Sequence, residues 1–120
     1  MSHNLTLESY SSLTKKLAGW DSIGLCYKTR VVKLSANCIA IQHFDTNIIE
    51  FYSDGSIVFN NGGYYSSVTK RRMKVLTGLN ITGSNKNCEW KIEGYDYYNG
   101  LTFHQPTRTI VQRDAIYCLS

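Results

Sequence analysis

Most of the chain's chemical character lies in Gly62-Gly63-Tyr64-Tyr65-Ser66-Ser67-Val68-Thr69-Lys70-Arg71-Arg72-Met73. Three hydroxyls, on Ser66, Ser67 and Thr69, run directly into Lys70, Arg71, Arg72 and Lys74, and no acidic residue stands between Gly55 and Glu89. If this run opens a helix, its first turn presents unpaired N–H groups and the positive end of the helix dipole, which attract anions. Exposed cations at that end cost about 0.3–1 kcal/mol each. Their presence there predicts a negatively charged partner. Hydroxyls, amides and cations together suit a phosphate, and the planar fork of Arg72 suits bidentate contact with one. The plainer reading is a solvated basic helix face, with arginine stems lying along apolar surface. The Walker pattern, with Gly-Lys-Ser/Thr after a spaced glycine, is absent, so Gly62-Gly63 is not a P-loop.

A second group stands near the C-terminus. Arg108 and Arg113 flank Thr109-Ile110-Val111, with His104 upstream. They would complete a cationic pocket in which Phe103 and Trp90 stack on a base; alternatively, they are charges that protect an edge strand from aggregation. The expected ligand-binding set is therefore Ser67, Thr69, Lys70, Arg71, Arg72, Arg108, Arg113, Phe103, His104 and Trp90. Tyr95, Tyr97 and Tyr98 read either as an interface anchor or as core.

No catalytic pattern accompanies these residues. There is no G-x-S-x-G elbow and no H-E-x-x-H, and His3, His43 and His104 are scattered. Cys26, Cys38, Cys88 and Cys118 form no C-x-x-C pair and read as reduced, mostly buried thiols. A dispersed zinc site using His43 or His104 is the alternative, but the ligand spacing for one is missing. The expectation is a binding protein with no catalytic residues, cofactor or metal.

The elements that must position these residues are legible from periodicity. Thr6 reads as the N-cap of a first helix in which Leu7, Tyr10, Leu13 and Leu17 recur at helical spacing, Gly19 as its C-cap, and Trp20 as the anchor of the following turn. Four β-prone runs follow: 30–34, 38–43, 47–52 and 56–60. Their two- to four-residue connections, including Asp54-Gly55, predict an antiparallel meander. A second helix is expected over 67–77, capped by Ser66 or Ser67 and stopped by Gly78. At about 100° per residue, Val68, Val75, Leu76 and Leu79 form its apolar face with Arg72 in the middle. The last third again reads as strands, at 88–92, 101–104 and 107–111, with a further one over 115–119. Asn99-Gly100 supplies a turn. The fold class is α+β: an N-terminal helix, an antiparallel β-meander, a second helix and a C-terminal antiparallel β region, in one domain over 1–120.

The bulk properties agree with that picture. A chain of 120 residues with 42% hydrophobic and 18% charged residues has enough apolar surface to fold without metal or disulfide support. The net charge of +4 is too mild to establish a nucleic-acid binder, so its local clustering matters more. Residues 1–7 contain no basic stretch leading into an apolar core, and no apolar run approaches membrane-spanning length. A cytoplasmic protein is expected.

Over Asn47 to Met73 the chain resembles a pattern recurring in small phage-encoded proteins. A strand ends in a Gly-Gly-aromatic step, here Ile57-Val58-Phe59-Asn60-Asn61-Gly62-Gly63-Tyr64. A Ser/Thr-x-Thr-Lys-x-Arg helix start follows, here Ser67-Val68-Thr69-Lys70-Arg71-Arg72. Together with chain length and element order, this resembles the phage anti-Thoeris sponge proteins, which sequester a cyclic ADP-ribose signal made by a host TIR-domain immune enzyme. The resemblance implies a non-enzymatic homo-oligomer holding a cyclic nucleotide in pockets between subunits, with cyclic oligonucleotides as further ligands for some members. It carries over only Thr69, Lys70 and Arg72. Tyr64 and Tyr65 depart from the pattern, which has tryptophan and a basic residue there. The competing expectations are a nucleic-acid-binding phage protein using the same basic helix, and an inhibitor that engages a host protein through its tyrosine surface.

Overall fold

Across the sheet that the meander builds, paired residues place two apolar rows on a single face. One row runs Val31, Ile41, Ile49, Phe59, Leu101, and the other runs Ile39, Phe51, Ile57, Phe103, Ile110. All but Ile110 are buried. Each such aliphatic or aromatic side chain contributes roughly 1.5–3 kcal/mol when removed from water, so these rows hold the sheet's register.

The computed structural model describes residues 5–111. Its elements are α1 (Tyr10–Leu17), β1 (Ser22–Cys26), β2 (Thr29–Ser35), β3 (Cys38–His43), β4 (Thr46–Tyr52), β5 (Ser56–Phe59), α2 (Ser67–Thr77), β6 (Ile81–Ser84), β7 (Glu89–Ile92), β8 (Tyr95–Asp96), β9 (Leu101–His104) and β10 (Thr109–Val111). The fold is α+β, with a five-strand antiparallel meander between the helices and antiparallel strands after α2. The large sheet has the order β1-β2-β3-β4-β5-β9-β10, and β6-β7-β8 form a separate small sheet. Leu13 and Leu17 of α1 join the same core as Met73 and Leu76 of α2, Ile81 of β6 and Trp90 and Ile92 of β7. No helix among the described residues is long and apolar enough to cross a membrane.

Several expectations need correction. The first helix is capped by Ser9 rather than Thr6: the Ser9 and Ser12 side chains each accept the other's backbone N–H. The backbone N–H of Glu8 donates to the Leu76 carbonyl at 2.8 Å, which ties the preceding segment to the end of α2 and leaves Leu7 exposed. Ala18, not Gly19, takes the left-handed C-cap position, and Trp20 is 69% exposed, so it anchors nothing by burial. Strands β1, β6 and β8 have no counterpart among the expected runs, because Ser22-Ile23-Gly24-Leu25-Cys26 and Ile81-Thr82-Gly83-Ser84 are short and glycine-broken and Tyr95–Asp96 is only two residues long. The strand expected over 115–119 lies outside the described residues.

Gly83 is where the small sheet meets α2. Its φ is +113°, and a Cβ there would fall 2.0 Å from the Glu89 carbonyl oxygen and 2.9 Å from the Trp90 Cα. Both are backbone atoms of the paired strand, so no side-chain rotation relieves the clash. Gly83→Ala is expected to lower the free energy of unfolding in urea by about 3 kcal/mol or more. Gly94→Ala, at φ +84° but with no atom within 4 Å of its Cβ, should lose only about 1–2 kcal/mol. Equal losses at the two positions would show that strand contact is not what demands glycine at 83.

Candidate functional site

The second helix forms over the expected residues. Ser66 is its N-cap, with Oγ accepting from Thr69 N–H at 3.1 Å and donating to Thr69 Oγ1 at 3.0 Å. Gly78 closes it in the left-handed region. Its rotation differs from the expectation, however. Thr69, Met73, Leu76 and Thr77 are buried against the core, while Val68 is 46% exposed and Val75 half-buried. The threonines can turn inward because their hydroxyls are satisfied locally, Thr69 by Ser66 and Thr77 by donating to the Met73 carbonyl at 2.6 Å. Arg72 therefore sits beside the buried stripe, not in its middle.

This rotation splits the basic run. Ser67, Lys70, Arg71 and Lys74 line an open groove of about 700 Å³ with Thr82 and Asn85 across from them. Every charged side chain in its lining is a cation. Lys70 Nζ donates to the Gly83 carbonyl at 2.7 Å and lies 5.9 Å from the centre of the Trp90 ring. Asn85 Nδ2 donates to Ser67 Oγ at 3.0 Å, and Asn85 Oδ1 accepts from Trp90 Nε1 at 2.7 Å. Trp90 is thus a buried support for the groove. It packs among Tyr65 and Tyr97 and presents no free face on which a base could stack, contrary to the expectation for it. The ion pairs among the described residues are Lys16–Glu8 and Lys91–Asp96, so no carboxylate neutralises the α2 cations.

Arg72 lies on the other flank. Its Nε donates to Thr29 Oγ1 at 3.0 Å. Thr29 Oγ1 in turn donates its single hydrogen to the Tyr27 carbonyl at 2.8 Å and lies 2.9 Å from His43 Nδ1. When that hydrogen stays on the carbonyl, His43 Nδ1 donates to Thr29 Oγ1 and Nε2 is the acceptor. Burial, and secondarily the charge of Arg72, lower the pKa of His43 and keep the ring neutral. His43, Thr29 and Asn61 were absent from the expected set. A lone histidine and an Asn-Gly turn carry no spacing signal, and only β2–β3 pairing brings Thr29 opposite His43.

The C-terminal group does not join the groove. Phe103 is buried in the sheet, with Arg108 stacked 5.5 Å above its ring. His104 Nδ1 bonds Thr107 Oγ1 at 3.0 Å within the β9–β10 turn. None of these residues lines the groove on α2, and Arg113 lies outside the described residues. Tyr97 is buried, Tyr98 half-buried and Tyr95 exposed, so the three share no common face. The thiols are also mixed: Cys38 is buried, Cys26 half-buried and Cys88 exposed. Among the described residues, no group of three or more His, Cys, Asp or Glu side chains could hold a metal ion.

Comparison with protein-family models, with curated proteins and with solved structures finds no match for the chain. The likeness to the phage proteins rests on residues 47–73, chain length and element order.

His43 should titrate below its ordinary value of 6.5 in an NMR pH series. Arg72→Ala should raise that pKa part of the way back, because burial, the larger cause, remains. A histidine depressed in the folded state binds its proton more readily when unfolded, so stability should fall as pH drops through about 6.5 and level off below the folded pKa. A His43 resonance titrating above 6.5 would remove the neutral-ring assignment.

Proposed function

We propose that this chain is a non-enzymatic binding protein that captures a phosphate-bearing cyclic nucleotide in the groove on the outer face of α2. The observation that carries the reading is the groove's lining: three cations, two hydroxyls, a carboxamide and no acid. Lys70, Arg71 and Lys74 supply charge, while Ser67 and Asn85 supply oriented hydrogen bonds to phosphate oxygens. The likeness of residues 47–73 to the anti-Thoeris sponges suggests the ligand class, a cyclic ADP-ribose type signal, and the purpose, sequestering it to block host anti-phage defence. The groove is shallow on its outer side. A second copy of the chain placed against it would supply the missing wall, in keeping with a homo-oligomer that binds between subunits in the host cytoplasm.

The same openness favours a second reading, in which the groove follows a nucleic-acid backbone. Salt separates the two. A protein neutralising many backbone phosphates loses about 10³–10⁵ in affinity between roughly 50 and 200 mM salt, whereas a ligand with one or two phosphates should lose about tenfold or less.

Isothermal titration with cyclic ADP-ribose tests the proposal. The Arg71→Ala, Lys74→Ala double variant removes two exposed cations and should keep a cooperative thermal transition while weakening binding by about 100-fold. Unchanged affinity would mean that the groove is not the site. Ligand released by heat-denaturing the complex should be chemically intact; a hydrolysed product would argue for an enzyme instead.

A further inference from the structure

A second cavity, of about 440 Å³, opens at the other flank of α2, where the β3–β4 turn meets the start of the helix. Its volume lies in the range of small-ligand sites, and its lining is mostly apolar. His43, Phe44, Ile48, Asn61 and Tyr64 contribute to it, and Asp45 is the one charged side chain in the lining. No cation faces it, so it is unsuited to a phosphate and distinct from the groove.

Two nitrogen groups of this lining bear on what it could hold. In the tautomer that donates from Nδ1 to the Thr29 hydroxyl, the His43 Nε2 lone pair is free. Asn61 is 2% exposed, and its Oδ1 is taken by the Gly63 N–H at 2.8 Å, which fixes the orientation of the amide. Its Nδ2 is then buried with no acceptor. Buried donors in folded proteins are nearly always paired, and an orphan asks for an explanation such as a ligand. At the rim, Phe44 and Tyr64 are 57% and 71% exposed. Large flat rings left in water beside an apolar cavity are suited to stacking on another ring.

We infer that this cavity binds an uncharged planar heterocycle carrying an N–H donor beside an acceptor, as on the edge of a nucleobase, with His43 Nε2 accepting and Asn61 Nδ2 donating. Phe44 and Tyr64 cover the ring's faces. Because Nδ2 is shielded from water, engaging it requires the turn at 61–64 to yield, and both Gly62 and Gly63 in that turn hold positive φ. The inference does not depend on the phosphate groove, since it concerns a ligand with no charge.

The test uses nucleosides, which have a base and no phosphate. Adenosine, guanosine, cytidine and uridine are titrated separately into the full-length protein and followed by ¹⁵N NMR of the His43 ring and the Asn61 side-chain amide. At least one should bind with a Kd of about 1 mM or tighter and shift both signals. Asn61→Asp keeps the Oδ1 bond to Gly63, so its turn should persist, but it lacks the donor and should weaken binding at least tenfold. His43→Phe should do the same. The Arg71→Ala, Lys74→Ala variant should bind the nucleoside as the parent does, which separates this site from the groove. The inference is overturned if none of the four nucleosides moves either signal at 5–10 times about 1 mM, or if Asn61→Asp, folded by its thermal transition, binds as tightly as the parent.

Discussion

The stripe of Thr69, Met73, Leu76 and Thr77 pressed against the core sets the rotation of α2 about its own axis. Through that rotation it assigns each cation of the run to a surface. Lys70 leans toward β6 and β7, Arg71 and Lys74 face outward, and Arg72 is carried to the far flank, where it meets β2. A turn of the helix by one residue would move a different cation to each place. The buried polar atoms at Thr69 and Thr77 make the rotation possible, because each hydroxyl has a local partner and enters the core without the cost of an unpaired group. Local capping chemistry thus decides a surface property some distance from it.

The sequence was most informative where one physical signal dominated. Alternating apolar residues bounded by turn residues located β2 to β5 to within a residue or two, and the serine and glycine punctuation bounded α2. It was least informative where two signals competed. Hydropathy selects the wrong face of α2, because Val68 and Val75 outweigh two threonines on any scale, yet the threonines are the ones buried. Phe103 and Trp90 were assigned to ligand stacking because aromatics suit both cores and binding surfaces, and pattern alone does not say which. The first helix starts later than the pattern suggests because Ser9 and Ser12 form a reciprocal capping box there. The expected site was half legible. Its α2 cations and Ser67 share a groove with Asn85, whereas Arg72 joined partners that only strand pairing reveals.

Electrostatic environment separates the two flanks of α2 more sharply than shape does. On one side, cations without carboxylate partners face water, where an anion would find them unscreened by protein charge. On the other, Arg72 Nε donates into a hydrogen-bonded chain of Thr29, Tyr27 and His43, and burial, with the Arg72 charge second to it, lowers the pKa of the histidine. The two flanks of one helix therefore differ: cations line the groove on one side, and none lines the cavity on the other.

Strand β4 holds one more residue than its partner between Ile49 and Asn47: Ile41 pairs with Ile49, but Gln42 pairs with Asn47, leaving Ile48 as a bulge. Side-chain parity resets at that point. Upstream positions such as Thr46 are thereby uncoupled from the alternation that the core imposes downstream from Ile49 to Phe51. A substitution at Thr46 alters the cavity's wall without touching the packed rows. If the strand paired without this bulge, Ile48 would face Gln42, and Asn47, not Thr46, would stand opposite His43.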